Sequence, residues 1–187
     1  MKLIETSTHY DCVNMTEFPN QEAHCVALRS QISHLSPQTA LEFGLRCAGH
    51  VVAFVQPFID LDINSVVAPM RSNWEKSRVQ KEELLELLGA FESAQVKASE
   101  IYDAIEGMKD LRDATDEGIK AFRGDSAESA MTNAILGVDE VNAHLCASWA
   151  ATLAWAATMF ESAELKWQED LLSELSDREQ ANGAKVS

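Results

Sequence analysis

The longest regular pattern in this 187-residue chain is helical and lies between Val79 and Phe122. Apolar residues recur there at steps of three, four and seven, namely Leu84, Leu88, Phe91, Ala98, Ile101, Ile105 and Met108. This near-heptad spacing is typical of a long helix packed in an antiparallel bundle. The chain contains no alternating run of β-branched residues, which is the pattern that would indicate a strand. The sequence therefore predicts an all-α fold, a single-domain bundle of five to seven helices.

Local signals predict where the first helices begin and end. Asn20 is placed to cap a helix over Gln21 to His34. Ser36-Pro37 is a stronger start signal, because serine caps a helix and proline at its first position loses no hydrogen bond. The helix that begins there should end near Pro57, since proline cannot continue the hydrogen-bonding pattern.

Two glycine-containing segments predict breaks in the second half of the chain. At Arg123-Gly124-Asp125-Ser126, the glycine suits the position after a helix and Asp125 suits the cap of the next one. A further interruption is predicted at Gly137-Val138-Asp139, with Asp139 as a new cap. These signals give a poorly ordered lead-in over residues 1–19, a helical domain over 20–177 and a frayed tail over 178–187.

The compartment is predicted from the absence of export signals. Met1 to Tyr10 contains no apolar run of the secretory kind. Val141 to Phe160 is uncharged but rich in Ala, Ser and Thr, so it predicts a buried helix rather than a membrane span. The four cysteines show no CxxC spacing and are expected to be reduced thiols. We therefore expect a cytoplasmic protein.

The charge balance limits the classes of partner. The chain carries 30 Asp+Glu against 15 Lys+Arg, a formal net charge of −15. Nucleic acids and anionic membranes are polyanions, so neither is an expected partner, whereas a basic protein is. The acid-rich residues 82–128 supply the candidate binding face, with Glu86, Glu100, Asp103, Asp110 and Asp113. The alternative is that this face serves only for solvation.

One acidic motif points to a different chemistry. Glu82-Glu83-x-x-Glu86 is followed, after thirteen residues, by Glu100-x-x-Asp103. This spacing resembles the metal-binding signature of the all-α NTP pyrophosphatases, the MazG-like family. The resemblance implies that these five carboxylates hold Mg²⁺, which prefers hard oxygen ligands. The same residues also lie roughly opposite the buried stripe of a helix, as a solvated face would.

A second resemblance concerns the order of helices. Cys47-Ala48-Gly49-His50-Val51 lies in an early helix, and Val66-Val67, Arg71 and Trp74 follow it. Two Ala-rich helices come later, over Ala127–Ala134 and Ala143–Ala157. This arrangement resembles the small helical immunity proteins of bacterial polymorphic-toxin systems. It implies a protein that neutralises a partner by stoichiometric binding, without turnover and without a cofactor. A homodimer is compatible with the near-heptad pattern.

Two other sets of residues have both a chemical and a structural explanation. Cys47, His50, His144 and Cys146 are zinc-type ligands, although Cys and His on apolar helices are more often packing residues. Trp149, Trp155 and Trp167, with Phe160, do not form one stripe, and we expect them in the core.

Overall fold

The computed structural model of the chain describes residues 19–59, 62, 64, 65, 68, 70, 71, 81–93, 116–139 and 141–183. Within these residues the fold consists of six α-helices and contains no strand, which confirms the predicted all-α bundle. The helices are α1 (Pro19–Ile32), α2 (Pro37–Val51), α3 (Lys81–Ser93), α4 (Asp116–Leu136), α5 (Ala143–Ala157) and α6 (Ser162–Gly183). A 3₁₀ segment, Val52–Phe58, continues α2.

The predicted start of α2 is confirmed at Ser36 and Pro37. The Oγ of Ser36 accepts a hydrogen bond from the backbone N–H of Thr39 at 3.3 Å, and Pro37 opens the helix. After Val51 the chain tightens into the 3₁₀ segment, which contains Pro57 and ends at Phe58. The predicted end near Pro57 is therefore correct, although the last turns are not α-helical.

The predicted joint at Arg123–Ser126 is wrong. Helix α4 runs without a break from Asp116 to Leu136, and Gly124 lies within it. Gly124, Asp125 and Ser126 are all buried. Glycine in a helix costs only about 1 kcal/mol relative to alanine, so burial of the surrounding turns outweighs its preference for a helix end.

The predicted interruption at Gly137-Val138-Asp139 is confirmed, but its cap is not Asp139. Helix α4 ends at Leu136, and α5 begins at Ala143 with Asn142 in the capping position. Asp139 instead accepts the backbone N–H of Asn142 at its carbonyl, at 2.9 Å. Asn20 is likewise inside α1 rather than at its cap, because α1 already includes Pro19.

Helix α5 is the element around which the others assemble. It packs against α2 and α4, while α1 lies along it and α6 contacts both α2 and α5. The buried side of α5 is made of small residues, including Ala143, Ala147, Ala150, Ala151, Ala154 and Ala157. Small side chains allow helix backbones to approach closely, which is why one helix can contact so many others.

A turn that the sequence did not predict separates α5 from α6. Met159 and Phe160 adopt positive φ angles of 59° and 61°. The backbone N–H of Phe160 donates to the carbonyl of Trp155 at 3.0 Å, and the two rings meet edge to face with centroids 5.2 Å apart. This packing holds an aromatic residue in a conformation that usually favours glycine.

The structure describes only part of the segment that carries the near-heptad pattern. Leu84 and Leu88 are buried in α3, as the pattern predicts. Ala98, Ile101, Ile105 and Met108 lie outside the described residues. None of the described helices combines the length and the apolar character needed to cross a membrane.

Candidate functional site

The described part of the candidate acidic face lies on α3. Glu86 is exposed there, together with Glu82 and Glu83. Glu82 and Glu86 are one helical turn apart, so their carboxylates share a side of α3. Neither forms an ion pair with a cation of the described residues. The other predicted residues of this face, Glu100, Asp103, Asp110 and Asp113, lie outside the described part.

The same residues bear on the predicted magnesium site. Its first half, Glu82-Glu83-x-x-Glu86, is an exposed part of α3, while Glu100 and Asp103 lie beyond what the structure describes. No group of three or more His, Cys, Asp or Glu among the described residues is arranged to hold a metal ion.

Helix α6 carries a second set of exposed acids, partly matched by cations. Asp170 pairs with Lys166 at 3.6 Å, and Glu174 pairs with Arg46 of α2 at 3.0 Å. Asp177 is exposed and forms no ion pair within the described segments. The outer side of α6 is therefore acidic but partly neutralised by its own chain.

Polar contacts fasten α6 to α2 along its length. Arg178 forms a bidentate ion pair with Glu42, a nearly buried carboxylate. The carboxylate of Glu179 accepts the backbone N–H of Ser36 at 3.0 Å. These contacts hold the last turns of α6 against α2, and the helix extends past Asp177 to Gly183. The boundary expected at residue 178 is thus not where the helix ends.

The most tightly arranged polar cluster joins His50 to Glu164. Nδ1 of His50 lies 2.8 Å from Oε2 of Glu164, whose residue is only 2% exposed. The other carboxylate oxygen accepts from Nε2 of Gln168 at 2.9 Å. The imidazole also stacks on Trp167, with centroids 4.2 Å apart. The hydrogen bond to the carboxylate raises the pKa of His50 above its ordinary value, against the opposing effect of burial.

We expect the Glu164→Gln substitution to lower the pKa of His50, because a neutral amide stabilises imidazolium less than a carboxylate does. A histidine whose folded pKa is raised contributes stability below its ordinary value of 6.5. That contribution is lost as the pH rises through the folded value. NMR titration of the imidazole protons measures the shift, and the exposed Glu161→Gln serves as control. An unchanged His50 pKa in Glu164→Gln would contradict the assignment.

The zinc-type ligands do not converge in the structure. Cys47 is fully buried, and desolvation holds the pKa of its thiol well above its ordinary value. His50 is held by Glu164, while Nε2 of His144 bonds to the carbonyl oxygen of Leu35 at 2.8 Å. Burial also raises the pKa of the Cys146 thiol. These four residues take part in packing and hydrogen bonding rather than in a shared metal site.

One unusual carboxyl was not predicted from the sequence. Burial, and secondarily the nearby Asp125, raises the pKa of Glu128 to about 7. Its Oε2 atom is buried without a hydrogen-bond partner. Glu128 lies near the middle of α4, three residues after Asp125.

The aromatic residues divide between core and surface. Trp155 is buried, as predicted, and Trp167 is partly buried against His50. The prediction for Trp149 is wrong, because it is 37% exposed. The guanidinium of Arg29 lies 5.4 Å from the centre of its ring. One side of α5 is therefore exposed, whereas the uncharged, Ala-rich composition of this stretch predicted a buried helix.

Similarity to known proteins does not indicate a function for this chain, so the helices and polar clusters described above are the grounds for a functional assignment. In comparisons with protein-family models, curated proteins and solved structures, none matches this chain.

Proposed function

We propose that this protein is a binding module that recognises a basic protein partner stoichiometrically, in the manner of an immunity protein. The observation that carries the proposal is the pair Glu82 and Glu86, exposed on one side of α3 and not neutralised by any described cation. Carboxylates in this state are free to meet the cations of another molecule.

The positions of the described cations support this proposal. Arg46, Lys166 and Arg178 form ion pairs with carboxylates of the same chain. Arg29 and Arg123 lie over the rings of Trp149 and Phe54. These five cations are therefore engaged away from Glu82 and Glu86 of α3. An acidic surface of this kind attracts a cationic partner and accelerates its association.

The first experiment identifies the partner and tests stoichiometry. Proteins of the source cell that bind at low ionic strength are identified by mass spectrometry, and each is then purified and titrated calorimetrically. We expect a basic protein that saturates at a fixed integer ratio, with a Kd that rises as salt is added because screening weakens the attraction. Binding that is unsaturable, or unaffected by salt, would contradict the proposal.

Paired substitutions test the surface itself. Glu82→Gln with Glu86→Gln removes two charges from α3, and Glu161→Gln with Asp177→Asn removes two exposed charges at α6. Both variants have the same net charge, so any difference between them reports location. We expect the α3 variant to raise the Kd by about tenfold more than the α6 variant, a difference of about 1.4 kcal/mol. Equal losses would show that only total charge matters.

The competing function is a Mg²⁺-dependent nucleotide pyrophosphohydrolase that uses Glu82, Glu83, Glu86, Glu100 and Asp103. It is tested by incubating the protein with Mg²⁺ and a panel of NTPs and dNTPs, and measuring pyrophosphate release. Turnover that is lost in a folded Glu86→Gln variant would overturn the binding proposal and assign the carboxylates of α3 to a metal centre.

A further inference from the structure

The two halves of α6 are held against the rest of the fold in different ways. The second half is held by three buried leucines, Leu171, Leu172 and Leu175. In the first half, residues 162–170, the buried side chains are polar: Glu164 is 2% exposed and Gln168 is fully buried. Leu165 and Trp167 are only partly buried. The position of the first half therefore depends on polar contacts more than that of the second half.

These polar contacts meet at one buried carboxylate. One oxygen of Glu164 accepts from Nε2 of Gln168, and the other lies 2.8 Å from Nδ1 of His50 at the end of α2. Nε2 of Gln168 also donates to the carbonyl oxygen of Ala151 at 3.0 Å. Its Oε1 atom is buried and has no hydrogen-bond partner in the described part of the chain. Burying a carboxylate is unfavourable unless it is paired, and an unpaired buried carbonyl adds to this cost.

The turn that precedes α6 adds to the energy of the docked first half. Met159 and Phe160 adopt the left-handed conformation, with φ angles of 59° and 61°, which is unfavourable for residues other than glycine. Movement of the first half would allow this turn to relax. The second half would stay in place, because Arg178 pairs with Glu42 and the three leucines remain buried.

We infer that His50 and Glu164 form a pH-sensitive latch, which holds the first half of α6 in place while the imidazole is protonated and loosens it once the imidazole is neutral. Histidine is the side chain whose ordinary charge change falls near neutral pH. Imidazolium compensates the buried carboxylate, whereas neutral imidazole leaves its charge uncompensated. The side chain of His50 is 47% exposed, so it reaches solvent and can exchange its proton without unfolding. The latch does not involve α3 and does not depend on the proposed binding function.

The direction of the pH response follows from this pairing. The hydrogen bond to Glu164 raises the pKa of His50 above its ordinary value of 6.5. The stabilising contribution of the pair is therefore complete below pH 6.5, and it is lost as the pH rises through the folded value. The first half of α6 should open more often at high pH than at low pH.

Other titratable groups lie on the elements packed around this corner of the fold. They are Arg46 and Cys47 on α2, Asp125 and Glu128 on α4, and Glu161 just before α6. The titratable residues of α5 lie in its first turn, where His144 bonds to the carbonyl of Leu35 at the opposite end of α2. The 3₁₀ segment Val52–Phe58 contains no charged residue. Among the described charges, only Glu164 acts on the pKa of His50, so the response is assigned to this pair.

Amide hydrogen exchange of the full chain, resolved by residue from about pH 5.5 to about pH 8.5, tests the latch on both sides of the ordinary histidine pKa. Dividing each rate by that of an unstructured peptide at the same pH gives a protection factor, which reports the opening equilibrium. Hydrogen bonds of charged groups are stronger than those of neutral groups, so we expect protection at residues 166–170 to fall about fivefold over this range. Residues 171–177 are the internal reference, because they report any change in global stability.

Two substitutions in the pair have different expected effects. His50→Gln leaves the carboxylate without a cation at every pH, so its protection at low pH should equal that of the wild type at high pH. Glu164→Gln removes the buried charge, so its protection should no longer depend on pH relative to the reference. His34→Gln is the matched control, because His34 is exposed, and it should keep the response of the wild type.

Three results would overturn the inference. The first is a wild type in which both halves of α6 respond to pH alike. The second is a Glu164→Gln variant that keeps the response of the wild type, and the third is a His34→Gln variant that loses it. Circular dichroism establishes that each variant is folded. If His50→Gln does not fold, Glu164→Gln still decides the question, because it contains no buried charge that needs a partner.

Discussion

Replacing Gly44 by valine is expected to lower the free energy of unfolding by about 3 kcal/mol, at the upper end of the usual cost of overpacking. Gly44 of α2 lies close to the backbone of α5. A Cβ atom added there would lie 3.1 Å from the Cα atom of Ala147 and 3.5 Å from its Cβ atom. The obstacle is backbone, so no rotamer change of a neighbour relieves it.

The energetic consequence extends beyond one contact. Valine also adds two methyl groups, which have to enter a layer made of small residues such as Ala147 and Ala150. The two helices must then separate, and the contacts of α5 with α2 loosen together. Interiors are packed too densely to absorb such a volume without strain.

Gly89 provides the control for this prediction. It is exposed in α3, and an added Cβ atom would meet nothing within 4 Å. Because valine has a slightly better helix propensity than glycine, we expect Gly89→Val to change stability by no more than about 0.5 kcal/mol. Urea unfolding followed by circular dichroism compares the two variants. Equal losses would contradict the prediction, because a Cβ atom at Gly89 meets no neighbour.

The sequence predicted those features of the fold that local chemistry determines. The cap at Ser36 is one, because serine followed by proline satisfies the first turn whatever surrounds it. The helical class is another, since it depends on a period repeated over many residues. The glycine signal at Gly124 failed because it is weak and the site is buried, so tertiary packing determined the outcome.

The candidate sites were predicted less completely. Exposed acids such as Glu86 are anticipated by composition alone, because a strongly acidic chain must place most of its carboxylates in water. The pairing of His50 with Glu164 was not predictable, since the two residues are 114 positions apart and meet only when α2 and α6 pack. The exposure of Trp149 was also missed, because an uncharged Ala-rich helix has the same composition whether it faces the core or another molecule.

Replacing Glu128 by glutamine is expected to stabilise the protein at pH 8 and to have little effect at pH 4. The pKa of Glu128 is about 7 in the folded protein, above the ordinary value of 4.5. Between these two values the folded state holds a proton that the unfolded state has released. Folding therefore loses stability as the pH rises from about 4.5 to about 7, and the loss is complete above that range.

The size of the effect follows from the same shift. A difference of about 2.5 pKa units corresponds to about 3 kcal/mol. Because Glu128 is only partly buried, solvent reduces this cost, and we expect a gain of about 2 kcal/mol for the variant at pH 8. Glutamine keeps the volume of the side chain but carries no charge, so it removes the cost of burying a carboxylate beside Asp125.

Urea unfolding of wild type and Glu128→Gln at a series of pH values measures this difference. The exposed Glu86→Gln is the control, because it also removes one negative charge but should show no comparable increase in stability between pH 4 and pH 8. A gain for Glu128→Gln that is the same at both ends of the series would contradict the prediction, since it would not depend on ionisation. A gain that builds up between about pH 4.5 and about pH 7 and is constant above that range identifies Glu128 as a carboxyl group that keeps its proton to a higher pH in the folded state than in the unfolded state.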